Sequence, residues 1–327
     1  MIHLRIVVPT SKSERVVDLL EASPSVFSLA RLEGASRKPP GDLVLCDVAR
    51  EDASVVIDDL RELGIPDEGS ISVEEIDSQL SRAADRAERA ARGSPGDAVV
   101  WEEVEAHTSE SIELNANFLA FMVLACLIAS VGVMLGEPVL IVGAMVVGPE
   151  FGPLAGLSVA IVQRRPEVAV RSLSALAIGF PVGITGAFLF SLLARWTGLI
   201  EAGFLLGEHQ LTAFISEPSA FSFIVALFAG AAGVLSLTSA KSGALVGVLI
   251  SVTTIPAAAA IGVAAAFGDW PEWRGAIAQL AINLTAIVIA GVATLLIQSR
   301  VFQRRRSRHR GDRSRAAAGL STQRRRR

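Results

Sequence analysis

The chain is poor in charge, in cysteine and in lysine. Only 19% of its 327 residues are charged while 51% are hydrophobic, and the mean hydropathy is +0.49, a balance that excludes an ordinary water-soluble enzyme of this size. Its two cysteines, Cys46 and Cys126, fall in an expected strand and an expected membrane helix without a partner at disulfide or metal spacing, so redox and zinc chemistry are not expected. The motifs G-x-S-x-G, H-E-x-x-H and G-x-x-x-x-G-K-[ST] are absent from the sequence. We therefore assign no catalytic residue, no cofactor and no metal, and read the chain as something other than an enzyme. His107 and His209 have no metal-type spacing to other ligands and read as surface residues. The first ten residues contain His3 and Arg5 and alternate too regularly for a signal peptide, which leaves targeting to the first membrane span.

What the chain does have is apolar length. Residues 1 to 115 resemble a soluble module, whereas six uncharged or nearly uncharged stretches follow: Phe118–Leu135, Pro138–Val162, Ser172–Ala194, Pro218–Ala240, Ser242–Phe267 and Ala276–Gln298. Each has the roughly 18 to 20 residues that a helix needs to cross hydrocarbon. Basic residues are retained on the cytoplasmic side of short loops. Arg164, Arg165 and Arg171 separate spans two and three, and Lys241 separates four and five; the opposite loops hold Arg195 and Arg274 beside Glu137, Glu201, Glu208, Glu217, Asp269 and Glu272. Both termini are expected in the cytoplasm, with the spans in a bacterial inner membrane.

Residues 1–75 read as strand, helix, strand, strand, helix, strand. Ile2–Val8 alternates; Ser13–Leu20 is helical, with Ser11 or Ser13 as its cap; Val26–Leu32 and Leu43–Val48 are strands; Asp52–Leu63 is a second amphipathic helix and Gly69–Val73 the last strand. That order fits a cytoplasmic α+β ferredoxin-like (βαββαβ) domain. Residues 76–117 form a polar helical spacer, a break at Gly93–Asp97 and a juxtamembrane segment, in which Trp101 sits at the headgroups or docks on the head. Residues 300–327 hold 12 Arg and one Asp, which leaves −14 on the preceding 299 residues given the total of −3. We expect this tail to be disordered and to bind anionic lipid headgroups, at about 1 kcal/mol per arginine near the surface. Nucleic acid is not expected as a partner, because no aromatic platform is interleaved with the arginines.

The membrane domain, residues 118–299, divides into two sets of three spans that resemble each other. Ala129–Met134 in span one and Gly230–Leu235 in span four share a small-x-x-Gly-Val pattern, and spans two and five begin with Val142-Gly143 and Val246-Gly247 and meet proline about ten residues later, at Pro153 and Pro256. Three being odd, the second set is expected inverted, a 3+3 inverted repeat of the kind that builds midplane sites in transporters. Gly148, Gly152 and Gly156 recur every four residues and provide a helix-packing face. Pro149 and Pro153 remove backbone donors and free carbonyls one turn earlier, so spans two and five are expected to be broken and the break to line an interior cavity. Glu150 lies twelve residues into its span, about 18 Å along a continuous helix and hence near the midplane. It either binds a cation or proton or is a neutral acid bonded to a freed carbonyl. Thr253, Thr254 and Asn283, with Gln279, could add oxygens and amides to the same cavity, or pair between helices.

The run Ser111–Gly156, with Pro138-Val139-Leu140-Ile141-Val142-Gly143-Ala144-Met145, Gly148-Pro149 and Gly152-Pro153, resembles a bacterial membrane family known as domain of unknown function 389, the uncharacterised hydrophobic domain proteins. The resemblance continues through Ala226–Gly233, Leu245–Val248 with Pro256, and Asn283-Leu284, covering roughly residues 105–298. It implies a small N-terminal domain and no particular activity. The expectation is a membrane all-α protein, a homo-oligomeric transporter or channel for an unidentified small solute or ion, gated by its head. The alternative is a membrane sensor or scaffold whose head binds a ligand or partner.

Overall fold

In β1 (Ile2–Val8) alternate residues are fully buried, Ile2, Leu4, Ile6 and Val8, as a strand with one covered face requires. A computed structural model describes residues 1–76, 78–91, 99–200, 204, 206, 219–239, 254–309 and 313–320. The chain divides into two units, Met1–Val104 with Thr238–Lys241 and Gln298–Arg327, and Glu105–Leu237 with Ser242–Ile297.

In the first unit β1 is followed by α1 (Ser13–Glu21), β2 (Val26–Arg37), β3 (Pro40–Val48), α2 (Arg50–Glu62), α3 (Ile65–Glu68), β4 (Ser70–Glu75) and α4 (Arg82–Ala90). The strands form one antiparallel sheet in the order β2-β3-β1-β4, with Leu4 opposite Cys46 on β3 and Val73 on β4. Val16, Leu19 and Leu20 of α1 and Val56, Ile57 and Leu60 of α2 share its core. Each such side chain contributes about 1.5–3 kcal/mol by leaving water. Neither Ser11 nor Ser13 caps α1: Lys12 precedes it without a side-chain bond. The spacer helix α4 is shorter than its composition suggested and is not wholly solvated, since Ala84 and Ala87 are buried.

The second unit contains most of α5 (Trp101–Ser111), then α6 (Ala116–Leu135), α7 (Pro138–Val147), α8 (Phe151–Gln163), α9 (Pro166–Trp196), α10 (Ala220–Thr238), α11 (Ile255–Phe267) and the first part of α12 (Trp270–His309). Among the described residues four helices, α6, α9, α10 and α12, are long and apolar enough to cross a membrane, or five spans if the bent pair α7 and α8 is one. This is a membrane protein. The stretch expected as a broken second span is two helices, α7 and α8, which meet at 55°. Of the stretch Ser242–Phe267, residues 242–253 lie outside the described residues, and α11 alone, at 13 residues, reaches only about 20 Å. All but one residue of α11 is buried, which its alanine content permits. A Cβ on Gly262 would stand 2.8 Å from both Ile184 O and Phe188 N, so α11 lies backbone to backbone with α9. Arg195 Nη1 donates to Ala266 O at 2.9 Å, occupying a carbonyl at the C-terminal end of α11.

The described residues of the tail are mostly helical where a disordered segment was expected. Residues up to His309 continue α12, and α13 (Arg313–Ala317) follows. Arg315, 2% exposed, forms an ion pair with Asp59 and donates to Glu62 Oε2 at 2.8 Å; His309 Nε2 lies 2.8 Å from Asp59 Oδ2 and Arg306 Nη1 3.1 Å from Asp58 Oδ2. Arg306, His309 and Arg315 are thus met by the acidic face of α2. Trp101 docks on its own unit, its backbone N–H donating to Ser54 Oγ at 3.0 Å and its ring meeting Phe302 edge-on at 6.3 Å.

Candidate functional site at two helix starts

Prolines read from the sequence as kinks stand instead at helix beginnings. α7 stops at Val147; Gly148, Pro149 and Glu150 form the break, and Pro153 lies within the first turn of α8. Pro256 is likewise in the first turn of α11, directly after Thr254 and Ile255. The cause is the helix itself: amides of the first turn have no intrahelical acceptor, so proline there loses no hydrogen bond.

Glu150 and Thr254 are therefore the residues preceding α8 and α11, and both are fully buried. The Thr254 hydroxyl donates to Glu150 Oε1 at 2.7 Å. A carboxylate ahead of a helix start is favoured by the partial positive charge there, by about 0.3–1 kcal/mol at the surface and up to ~2 when sheltered. Gly148 makes this arrangement possible, because a Cβ there would strike the Glu150 carboxylate and lie 2.8 Å from Ile255 Cγ1.

The break opens on a cavity of about 250 Å³ lined by Thr108, Ser111, Gly148, Pro149, Phe151, Gly152, Ala155 and Leu237. Part of this wall was not anticipated from sequence. The end of α5 runs antiparallel along α8, with Glu105 paired to Arg165, and Gly152 and Gly156 facing Ser111, Thr108 and Ile112. A Cβ on Gly152 would stand 2.8 Å from Ser111 O, and one on Gly156 would stand 2.7 Å from Ser172 Oγ and 3.1 Å from Thr108 Cγ2. The glycine face thus packs against a polar juxtamembrane helix. The signal for it was the spacing of Thr108, Ser111 and Ile112 at i, i+3 and i+4.

Of the other expected site residues, Asn283 is fully buried in α12, where Gln279 Nε2 donates to its Oδ1 at 2.9 Å along the same helix. Thr253 lies outside the described residues. A second, more apolar cavity of about 450 Å³ is lined by Ser219, Phe223, Ala281, Ile282 and Thr285. Among the described residues no group of three or more His, Cys, Asp or Glu could hold a metal ion.

Residues 145–289 carry a match to the family described as Domain of unknown function (DUF389). An uncharacterized protein of Methanocaldococcus jannaschii is 26% identical over 204 residues, spanning 58% of each chain. This chain thus spans little more than half the length of that relative, and the likeness extends to an archaeon. No solved structure matches.

Proposed function

We propose that the protein is a membrane carrier or channel for a small solute or ion, with Glu150 and Thr254 at its coupling site. The observation that carries this reading is the 2.7 Å hydrogen bond joining two fully buried residues 104 positions apart, each preceding a proline-started helix. Discontinuous helices whose ends converge on a charged group are how transporters build sites within the bilayer. A carboxyl taken out of water is retained where it can gain or lose a proton or bind a cation. The recurrence of a proline-started helix after Gly148 and again after Thr254 is what an inverted pair of three-span halves would produce, and six spans are part of this reading. The strand order β2-β3-β1-β4, with α1 and α2 as crossovers, supports a ferredoxin-like head. The loop arginines argue for cytoplasmic termini in a prokaryotic plasma membrane. Within this reading the protein is not an enzyme and assembles as a homo-oligomer, and its arginine-rich tail meets anionic lipid.

The test is flux. In liposomes holding the full chain and a pH-sensitive dye, Glu150→Gln should abolish proton movement at unchanged protein abundance, and Thr254→Val should slow it roughly 2- to 10-fold. Unchanged flux in Glu150→Gln would dismiss the role.

A further inference from the structure

One helix of the chain is held at its two ends by different partners. α5 (Trp101–Ser111) is unbroken over 11 residues, about 16 Å. Its first turn is gripped by the head. The Trp101 amide donates to Ser54 Oγ at 3.0 Å, and that hydroxyl donates in turn to Glu102 Oε2 at 2.6 Å. Arg61 Nη1 lies 2.9 Å from the other Glu102 oxygen, and the buried Arg50 donates through Nη2 to Glu103 Oε2 at 2.8 Å. Val100, directly ahead of the helix, is part of the head core, and Val104 is buried as well. Hydrogen bonds, ion pairs and burial thus act together on one short stretch.

The last turn is held by α8 instead. Ser111 presents its backbone to Gly152, and the buried Thr108 and Ile112 meet Gly156. Because neither glycine has a Cβ, no flexible side chain of α8 lies between the helices to absorb a shift of α5, and close-packed contacts transmit displacement. Gly152 is the second residue of α8 and stands two positions after Glu150, whose Oε1 accepts from the Thr254 hydroxyl. We infer that α5 is a rigid coupling element through which the head sets the geometry of the break at Glu150. A change in the head's grip on Trp101, Glu102 and Glu103 moves Thr108 and Ser111 against the start of α8. The coupling itself stands on packing alone, while its consequence for flux rests on the carrier reading of Glu150. α12 also has residues in both units, so a test has to separate the two routes.

The experiment follows hydrogen exchange by mass spectrometry on the full chain in detergent. Ser54→Ala removes the acceptor of the Trp101 amide and the donor to Glu102. It should quicken exchange roughly 3- to 10-fold in residues 101–104 and, through α5, in residues 151–163. Ala106→Pro, at an exposed position, breaks the helix between its two ends. In that background Ser54→Ala should no longer alter exchange in residues 151–163. Ala106→Gly, which keeps the amide and loosens the helix, should at least halve the effect. An effect of Ser54→Ala that stays out of residues 151–163 overturns the inference. So does one that persists undiminished in both Ala106 variants, because the route is then α12. Either result leaves the carrier reading standing if proton flux in liposomes still depends on Glu150. Coupled exchange in a protein without any flux supports the inference and defeats the carrier reading.

Discussion

Replacing Arg315 by alanine tests whether the basic C-terminal segment is a folded part of the first unit. Its guanidinium is 3% exposed, paired with Asp59 through one nitrogen and 2.8 Å from Glu62 Oε2 through the other. Removing one partner of a buried pair costs about 3–5 kcal/mol, mostly because the remaining charge stays unpaired. Two features argue for the lower end: His309 Nε2 is 2.8 Å from the other Asp59 oxygen, and Glu62 is 44% exposed, so its share is that of a surface pair. About 3 kcal/mol corresponds to roughly a hundredfold increase in the open population of the segment. Hydrogen exchange of peptides covering residues 313–320, measured by mass spectrometry on the full chain in detergent, should accelerate by that factor while β1 exchange is unaffected. Arg315→Lys should fall between, because an ammonium cannot bridge both carboxylates with a planar fork. Exchange of that segment within about threefold of wild type in Arg315→Ala would refute the buried-pair reasoning.

Other outcomes follow from the same geometry. Burial pushes the carboxyl pKa values of Asp58 and Glu102 up, whereas Asp42 is held low, first by the Gly34 amide at 2.9 Å and further by Arg31. A raised folded pKa favours the protonated fold, so Asp58 and Glu102 add stability as pH falls through their raised values. Asp42 contributes stability above its unfolded pKa that is lost as pH falls through its lowered one. Hydrogen exchange of the head should therefore slow on mild acidification and quicken again in strong acid; a monotonic loss from neutral pH downward would contradict this. Gly262→Ala should lower the melting temperature through overpacking of about 1–3 kcal/mol, since its Cβ meets the α9 backbone, whereas Gly143→Ala, with nothing within 4 Å, should be neutral; equal effects would argue against the α11–α9 contact. Burial pushes the Cys46 thiol up to about 12, so maleimide should label it only after denaturation, and labelling of the native protein would contradict the buried strand.

The head was largely legible because its signals are local. Alternation in Ile2–Val8 and the amphipathic spacing of Val16, Leu19 and Leu20 are properties of short windows, and the structure has those residues buried. The tail was not legible for the opposite reason. Its arginines have no apolar stripe, and the groups that order them, Asp59 and Glu62, are about 250 positions away. Local composition carries no trace of such a partner. The same holds for α5, whose polar sequence reads as a segment along the membrane surface until Gly152 and Gly156 are seen beside it.

The depth of Glu150 was read along a continuous helix, whereas the structure has it in the break between α7 and α8. Mid-helix, a carboxylate would have found every nearby amide already bonded and would have been favoured only when neutral. Preceding the first turn of α8, it stands before amides with no intrahelical acceptor, beside a hydroxyl from the start of α11. That setting gives the carboxyl a hydroxyl donor from the start of a second helix, which is the arrangement on which the carrier reading rests. The two prolines that seemed to weaken a span therefore have a definite consequence. They stand at a break and in a first helical turn, where the backbone has no intrahelical bond to lose, which makes the break, rather than depth in the bilayer, the reason to look for ion chemistry at Glu150.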